Sequence, residues 1–270
     1  VNDGLENYVL QRTITVGDRD ECSPVAGLFD AEGNRYTVSR FGGVCWMTQN
    51  LRSTWTKQGN QVQTITADVN KDNDPNAVVY YYPNGNTNSP SGYGFLYSWG
   101  AANIGTLSSE ATDAFRDTTS NRQGICPDGW TLPSDYDWNQ LEKEIAINPG
   151  KYSLESDTLN PAWNVAYEGG TDWRPEGNPT NGWGRRMKSP TAISGATNGV
   201  SKTDGTGFNA LLVGYFSSGK GAYFGTYTFI WSSSASSATA AWRRFLANGD
   251  SGANRGTYAK YYMFSVRCKK

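Results

Sequence analysis

Four cysteines, Cys22, Cys45, Cys126 and Cys268, constrain this chain more than any other feature. They form no Cys-x-x-Cys pair, and the chain has no histidine to complete a zinc set. An even number of scattered cysteines in a Gly-, Asn- and Trp-rich sequence reads as two disulfides, and so as an oxidising compartment. The competing reading is four buried thiols in a cytosolic protein. Spacing alone leaves three connectivities open. The sequence begins at Val1 with no Met and no charged-then-apolar leader, which reads as a mature form or an excised fragment.

The missing histidines also narrow the chemistry. There is no Ser-His-Asp or Cys-His pair and no His general base, so nucleophilic catalysis would rest on carboxylates, Lys, Tyr or Ser. With 24 Lys+Arg against 25 Asp+Glu, nothing electrostatic favours nucleic acid or anionic lipid. No apolar run reaches the roughly 18 residues that would span a membrane. Charged residues are 18% of the chain, below the usual level of about 25%, and glycine is above its usual share. The 10 Trp, 16 Tyr and 10 Phe argue against disorder, since each buried ring removes about 150–250 Å² from water. This is the profile of a loop-rich extracellular domain, at a length that suits one large domain or a domain with a small appendage.

Local patterns give the expected elements. Residues 8–16 alternate as a strand, 28–30 and 35–39 read as a hairpin, and 44–47 and 78–82 as strands. Residues 84–94 and 232–239 read as loops. The clearest helix begins at Ser134, a cap with Asp137 placed for a capping box. Trp138, Leu141 and Ile145 then share one face, and Asn148-Pro149-Gly150 stops the helix. Residues 183–188 read as a second, short helix. Strands are expected at 208–213, 227–231, 240–246 and 261–268. Strands at both ends with helices between favour an α+β domain whose sheet gathers both chain ends. There is no convincing internal repeat.

Several strings occur in a telling order: Cys45-Trp-Met-Thr-Gln-Asn-Leu51, Tyr93-Gly-Phe-Leu-Tyr-Ser-Trp-Gly-Ala-Ala102, and Gln123-Gly-Ile-Cys-Pro-Asp-Gly-Trp-Thr-Leu-Pro-Ser134. Arg186-Met-Lys-Ser189, Gly207-Phe-Asn-Ala-Leu211, Trp231-Ser-Ser-Ser234, Ala241-Trp-Arg-Arg244 and Phe264-Ser-Val-Arg-Cys268 follow. From about residue 34 to the end, the chain resembles the Fibrobacter succinogenes major paralogous domain, found in secreted and surface proteins of Bacteroidetes and related bacteria. The resemblance implies a C-type lectin-like variant over residues 22–270, with a short twisted antiparallel sheet, two helices and long loops. Residues 1–21 would be a connector or the remnant of a preceding pilus domain. It also implies Cys126–Cys268 and Cys22–Cys45 pairing. Related copies look like adhesive end pieces of surface fimbriae. The expected role is therefore a non-enzymatic adhesion module on the bacterial cell surface, with fimbrial or envelope subunits and a glycan or host protein as partners. The alternatives are a structural envelope subunit and a two-carboxylate hydrolase. The calcium-lectin motifs are not matched by Asp74-Pro75-Asn76 or Trp163-Asn164-Val165, and all four cysteines have a structural use, so no formylglycine-generating activity is implied.

The densest candidate contact stretch is Trp163, Tyr167, Glu168, Asp172, Trp173, Glu176 and Trp183. Sugars stack C–H faces on flat rings while carboxylates accept hydroxyl protons, and this stretch supplies both. The competing reading, favoured because aromatics must carry the packing in a strand-poor chain, puts the indoles beneath a long loop. Glu168, Asp172 and Glu176 are also the candidate hydrolase pair, which would need about 5–9.5 Å between carboxylates. A calcium ion would find oxygens at Asp72, Asn73, Asp74 and Asn76, but the run lacks the Gly and final Glu of an EF-hand and equally reads as a turn. No cofactor is expected. Asp128, Asp135 and Asp137 are read as helix-start acids, Glu142 and Glu144 as the helix's polar face. Of Arg243 and Arg244, one is expected inside and one in solvent. Trp46, Trp99, Trp130 and Trp231 are expected in the core.

Overall fold

A computed structural model describes residues 22, 27–56, 58–65, 73–85, 87, 92–104, 122–155, 162–176, 181–193 and 199–270. The strand expected at 8–16, the connector and Asp72 lie outside these residues.

The first elements among the described residues are two hairpins, β1 (Leu28–Phe29) with β2 (Arg35–Tyr36), and β3 (Val38–Phe41) with β4 (Val44–Met47). Three short strands follow, β5 (Gln63–Thr64), β6 (Val79–Tyr81) and β7 (Leu96–Ser98), the last running into the one-turn helix α1 (Trp99–Ala102). The long helix α2 (Asp135–Ile147) is succeeded by one-turn helices α3 (Pro149–Tyr152) and α4 (Ala166–Gly169), strand β8 (Asp172–Arg174) and helix α5 (Trp183–Met187). The C-terminal third supplies β9 (Tyr215–Ser217), β10 (Lys220–Ala222), β11 (Tyr227–Ala235), β12 (Ala240–Ala247), β13 (Ala253–Ala259) and β14 (Met263–Phe264). They assemble into a six-stranded sheet, β10-β9-β14-β7-β6-β5, and a four-stranded sheet, β11-β12-β13-β8. The two meet where β11 runs beside residues after β14: Trp231 N donates to Ser265 O, and Ser265 N donates to Phe229 O. The architecture is α+β, as expected, but with more sheet than one short ribbon.

Helix α2 explains the layering. Ser134 and Asp137 form the reciprocal capping box. Trp138, Leu141 and Ile145 are buried against Trp46, Trp183, Phe208 and Ile230. A second stripe on the same helix, Asp135, Asn139 and Glu142, is also wholly buried. Helix α2 therefore covers one face of the four-stranded sheet with an apolar stripe and a polar one. A second core, containing Tyr97, Trp99, Trp231 and Phe264, fills the space between the two sheets. Trp46, Trp99, Trp130 and Trp231 are no more than 3% exposed, as core residues should be.

Both disulfides form as the resemblance implied, Cys22–Cys45 and Cys126–Cys268. The second links the segment before α2 to the C-terminal end, where Lys269 also bridges Trp46 and Thr131.

Several expected elements need correction. Residues 208–213 are not a strand: Asn209 sits at φ 56°, a left-handed conformation that breaks the pleat. Strand β11 continues through the expected loop to Ala235, with an irregularity after Trp231. Its serines are buried because Ser232 Oγ donates to Trp242 O and Ser234 Oγ accepts from Asp135 N. Only Met263–Phe264 of the expected 261–268 strand is regular. Three one-turn helices, α1, α3 and α4, join the two that were expected.

Candidate binding surface

The polar stripe of α2 meets three arginines from three neighbouring strands. Arg244 Nη1 lies 2.6 Å from Asp135 Oδ1, and its Nε pairs with Glu142. Arg255 reaches Asp135 Oδ2 at 2.7 Å, and Arg174 donates to both Glu142 oxygens at 2.7 and 2.9 Å. All five side chains are at most 2% exposed. Burial opposes the charge on Asp135, but Arg244 and Arg255 outweigh it and hold its carboxyl below the ordinary value. Burial likewise opposes the charge on Arg244, and Asp135 and Glu142 more than compensate. Burial brings Arg174 down to about 10 despite Glu142. Asp135, read only as a helix-start acid, and Glu142, read as part of the helix's polar face, are thus corrected to core ion-pair members. The paired groups satisfy each other away from water, where a lone charge would cost several kcal/mol.

The same groups reach outward to main chain. Arg174 Nη1 donates to Tyr167 O at 2.6 Å, and Asn139 Nδ2 to Glu168 O at 2.9 Å. Arg255 Nη1 donates to Gly169 O and Gly170 O at 3.2 and 3.3 Å. The candidate stretch, built on α4 and β8, is therefore gripped from beneath through its carbonyls.

That grip splits the seven predicted contact residues. Trp183 is corrected to core: it is 0% exposed, and its Nε1 donates to Glu142 Oε2 at 3.0 Å. Trp163 and Tyr167 are half-buried, packed on Trp183 with ring centroids 5.1 and 5.3 Å away. Glu168 turns toward Lys143 on α2 at 3.7 Å, and Glu176 is exposed beyond β8. Asp172 is exposed and Trp173 half-buried; both belong to β8, the edge of the four-stranded sheet. Glu168 and Asp172 have different partners, with Asp172 Oδ1 accepting from Asn254 Nδ2 at 2.8 Å.

Trp173 continues into a surface that sequence reasoning missed. Its ring packs on Phe245 at 4.9 Å, Phe245 on Tyr227 at 5.1 Å, and Tyr227 on Tyr223 at 4.5 Å. The row lies on the sheet face opposite α2, and its Tyr223 end also packs on Tyr215 of β9 at 5.7 Å. Tyr223 is 51% exposed, while Tyr227 and Phe245 are half-buried. Arg243, next to Phe245 in register, lies across the rings of Phe229, Phe245 and Tyr258 at 5.5–5.6 Å. Gly256 stands opposite it, and a Cβ there would come within 2.9 Å of Arg243 Nη2, so glycine makes room for the flat guanidinium. Arg243 also donates to Asn254 Oδ1, completing a polar line Arg243–Asn254–Asp172 beside the rings. Arg243 and Arg244 do point to opposite faces, yet both are buried, correcting the expected solvent position. Strand alternation of 227/229 against 243/245 was the available signal; the missing information was which face remained open.

Asp74 and Asn76 form a turn rather than a converging set: Asp74 Oδ1 accepts from Asn76 N at 3.0 Å. Among the described residues, no group of three or more His, Cys, Asp or Glu side chains is placed to hold a metal. A cleft of about 320 Å³ between the β3–β4 hairpin and α2 is lined by Phe41, Val44, Gln140, Asp137 and Glu144. Its acids are committed, Asp137 to the cap and Lys269, and Glu144 to the Tyr152 hydroxyl. No helix among the described residues is long and apolar enough to cross a membrane.

These features define an α+β, disulfide-linked domain carrying a loop and an aromatic sheet rim on a buried ionic scaffold. Residues 40–270 match the Fibrobacter succinogenes major domain, and the chain belongs to that family. No curated protein and no solved structure matches it.

Proposed function

We propose that the domain is a non-enzymatic binding module at the bacterial cell surface, at the tip of a fimbria or on a similar envelope structure. It takes hold of glycans or of host and matrix proteins. The carrying observation is the exposed edge at Asp172 and Trp173, where a carboxylate and a row of rings stand on a rigid scaffold. The two disulfides support an oxidising, extracellular setting. A C-type lectin-like arrangement is supported by one long helix against a sheet and by a cysteine link joining its approach to the C-terminal end. The reading invokes no cofactor. The divergent partners of Glu168 and Asp172 favour binding over two-carboxylate hydrolysis.

The test is binding of purified protein to a glycan array and to immobilised matrix proteins, with product analysis on any polysaccharide bound. Saturable binding without turnover is the expected result. No binding to either class would overturn the reading in favour of a structural envelope subunit, and hydrolysis would overturn the non-enzymatic part.

A further inference from the structure

We propose that the row Trp173–Phe245–Tyr227–Tyr223 is a stacking platform for a neutral glycan, with the Asp172 carboxylate accepting hydroxyl protons at one end. This rests on the binding-module reading above and names the ligand class.

Ring geometry favours an extended, ring-shaped ligand. Successive centroids are 4.9, 5.1 and 4.5 Å apart at interplanar angles of 50°, 84° and 31°, and Phe245 is itself stacked on Phe229. The row is therefore stepped and longer than one sugar ring, with Trp173 and Tyr223 offering separate faces at its two ends. The rings at both ends remain accessible, Tyr223 at 51% and Trp173 half-buried. Aromatic faces attract polarised C–H groups of a pyranose, while tyrosine and tryptophan keep a polar handle for its hydroxyls. Asp172 is held by Asn254 through one oxygen, which orients the carboxylate without covering it. That arrangement supplies stacking and a directional acceptor together.

Charge selects the ligand's sign. The cation nearest the row, Arg243, is 8% exposed, lies over Phe229, Phe245 and Tyr258, and donates to Asn254. Its charge is thus used inside the sheet. The exposed charges at this edge, Asp172 and Glu176, are both negative. A sialylated or uronic chain would meet like charge, whereas a neutral one meets acceptors for its hydroxyls.

The experiment uses the whole chain and titrates neutral oligosaccharides of glucose, galactose, mannose and N-acetylglucosamine, with one sialylated oligosaccharide, by calorimetry. Tyr223→Asn, Asp172→Asn and Trp173→Ala are compared with the parent. Asn is chosen because positions 172 and 223 have φ of 78° and 58°, a region it tolerates. The expected result is binding of at least one neutral oligosaccharide, preferred over the sialylated one. Each substitution should weaken it by roughly tenfold or more, and the two Asn variants should melt as the parent does. Undiminished sugar binding by both Asn variants overturns the platform while leaving a binding module elsewhere on the domain. So does preference for the sialylated chain. Binding to matrix protein with none to any sugar overturns the platform alone, and binding to nothing overturns both readings.

Discussion

Arg244 donates to Asp135 across 2.6 Å with both side chains at 0% exposure, and the same guanidinium also pairs with Glu142. One cation from β12 thus serves two acids two turns apart on α2. Replacing Arg244 by Met should destabilise the fold by about 1.5–3 kcal/mol, because it removes charge-assisted hydrogen bonds to both buried carboxylates while Arg255 and Arg174 keep Asp135 and Glu142 paired. Lysine should not restore the loss, since a point charge cannot replace a planar fork serving two acids. Urea denaturation of the parent and both variants measures this; a loss within error for Arg244→Met would contradict the network.

The same cluster sets the acid limit of stability. In the unfolded chain Asp135 titrates near its ordinary 3.8, and in the fold its value is lower, against burial, because of Arg244 and Arg255. Its contribution is complete above that pH and is lost as pH falls through the lower folded value. At the alkaline end the sign reverses. Burial pushes the Tyr97 hydroxyl well above 10.0, and it donates to Ser53 O at 2.7 Å. That contribution is complete below pH 10.0 and is lost as pH rises through the folded value. Melting curves from about pH 2 to 11 should show a shallower acid limb for Asp135→Asn and a shallower alkaline limb for Tyr97→Phe.

Gly184 in α5 is pressed against the turn before β13: a Cβ there would lie 1.9 Å from Gly252 O. Backbone cannot give way cheaply at that distance. Gly184→Ala should therefore cost about 1–3 kcal/mol, the range for overpacking, despite alanine's better helix propensity. Thermal unfolding checks it, and a stabilised variant would show the contact to be wrong.

Trp183→Phe separates scaffold from surface. It removes one of two donors to Glu142 Oε2, the other being Arg174, and leaves space beneath Trp163 and Tyr167, at an expected cost of about 1–3 kcal/mol for the lost hydrogen bond and packing. Binding at the sheet rim should survive in the folded fraction. Parallel stability and affinity measurements distinguish the two effects.

Loss of Cys126–Cys268 should destabilise more than loss of Cys22–Cys45, because the linked positions are 142 residues apart in one case and 23 in the other. Chain entropy gives roughly 5 against roughly 3 kcal/mol. Paired Cys→Ser variants compared by denaturant titration should show that order.

What the sequence revealed follows from where the physics is local. The cap at Ser134–Asp137, the apolar stripe Trp138–Leu141–Ile145 and the core indoles near cysteines were legible because each needs only neighbouring residues. Strand β13 was missed because Ala253–Ala259 carries Asn, Arg, Gly and Thr where alternating apolar residues would signal a strand. Arg255 faces α2 there, and Gly256 leaves room for Arg243, so its polar pattern makes sense only with partners from other elements. Glu142 was misread for the same reason: its arginines lie 32 and 102 residues away. The stretch around residue 172 was singled out by composition, but its division into Trp183 inside and Trp173 at the half-buried edge depends on tertiary packing.

The grip on residues 167–170 uses carbonyl oxygens, which every amino acid possesses. Apart from Tyr167, whose ring packs on Trp183, the side chains along this segment can therefore be exchanged with little effect on its attachment. Such a loop is a replaceable cassette, open to substitution at its surface while the arginines below keep its path.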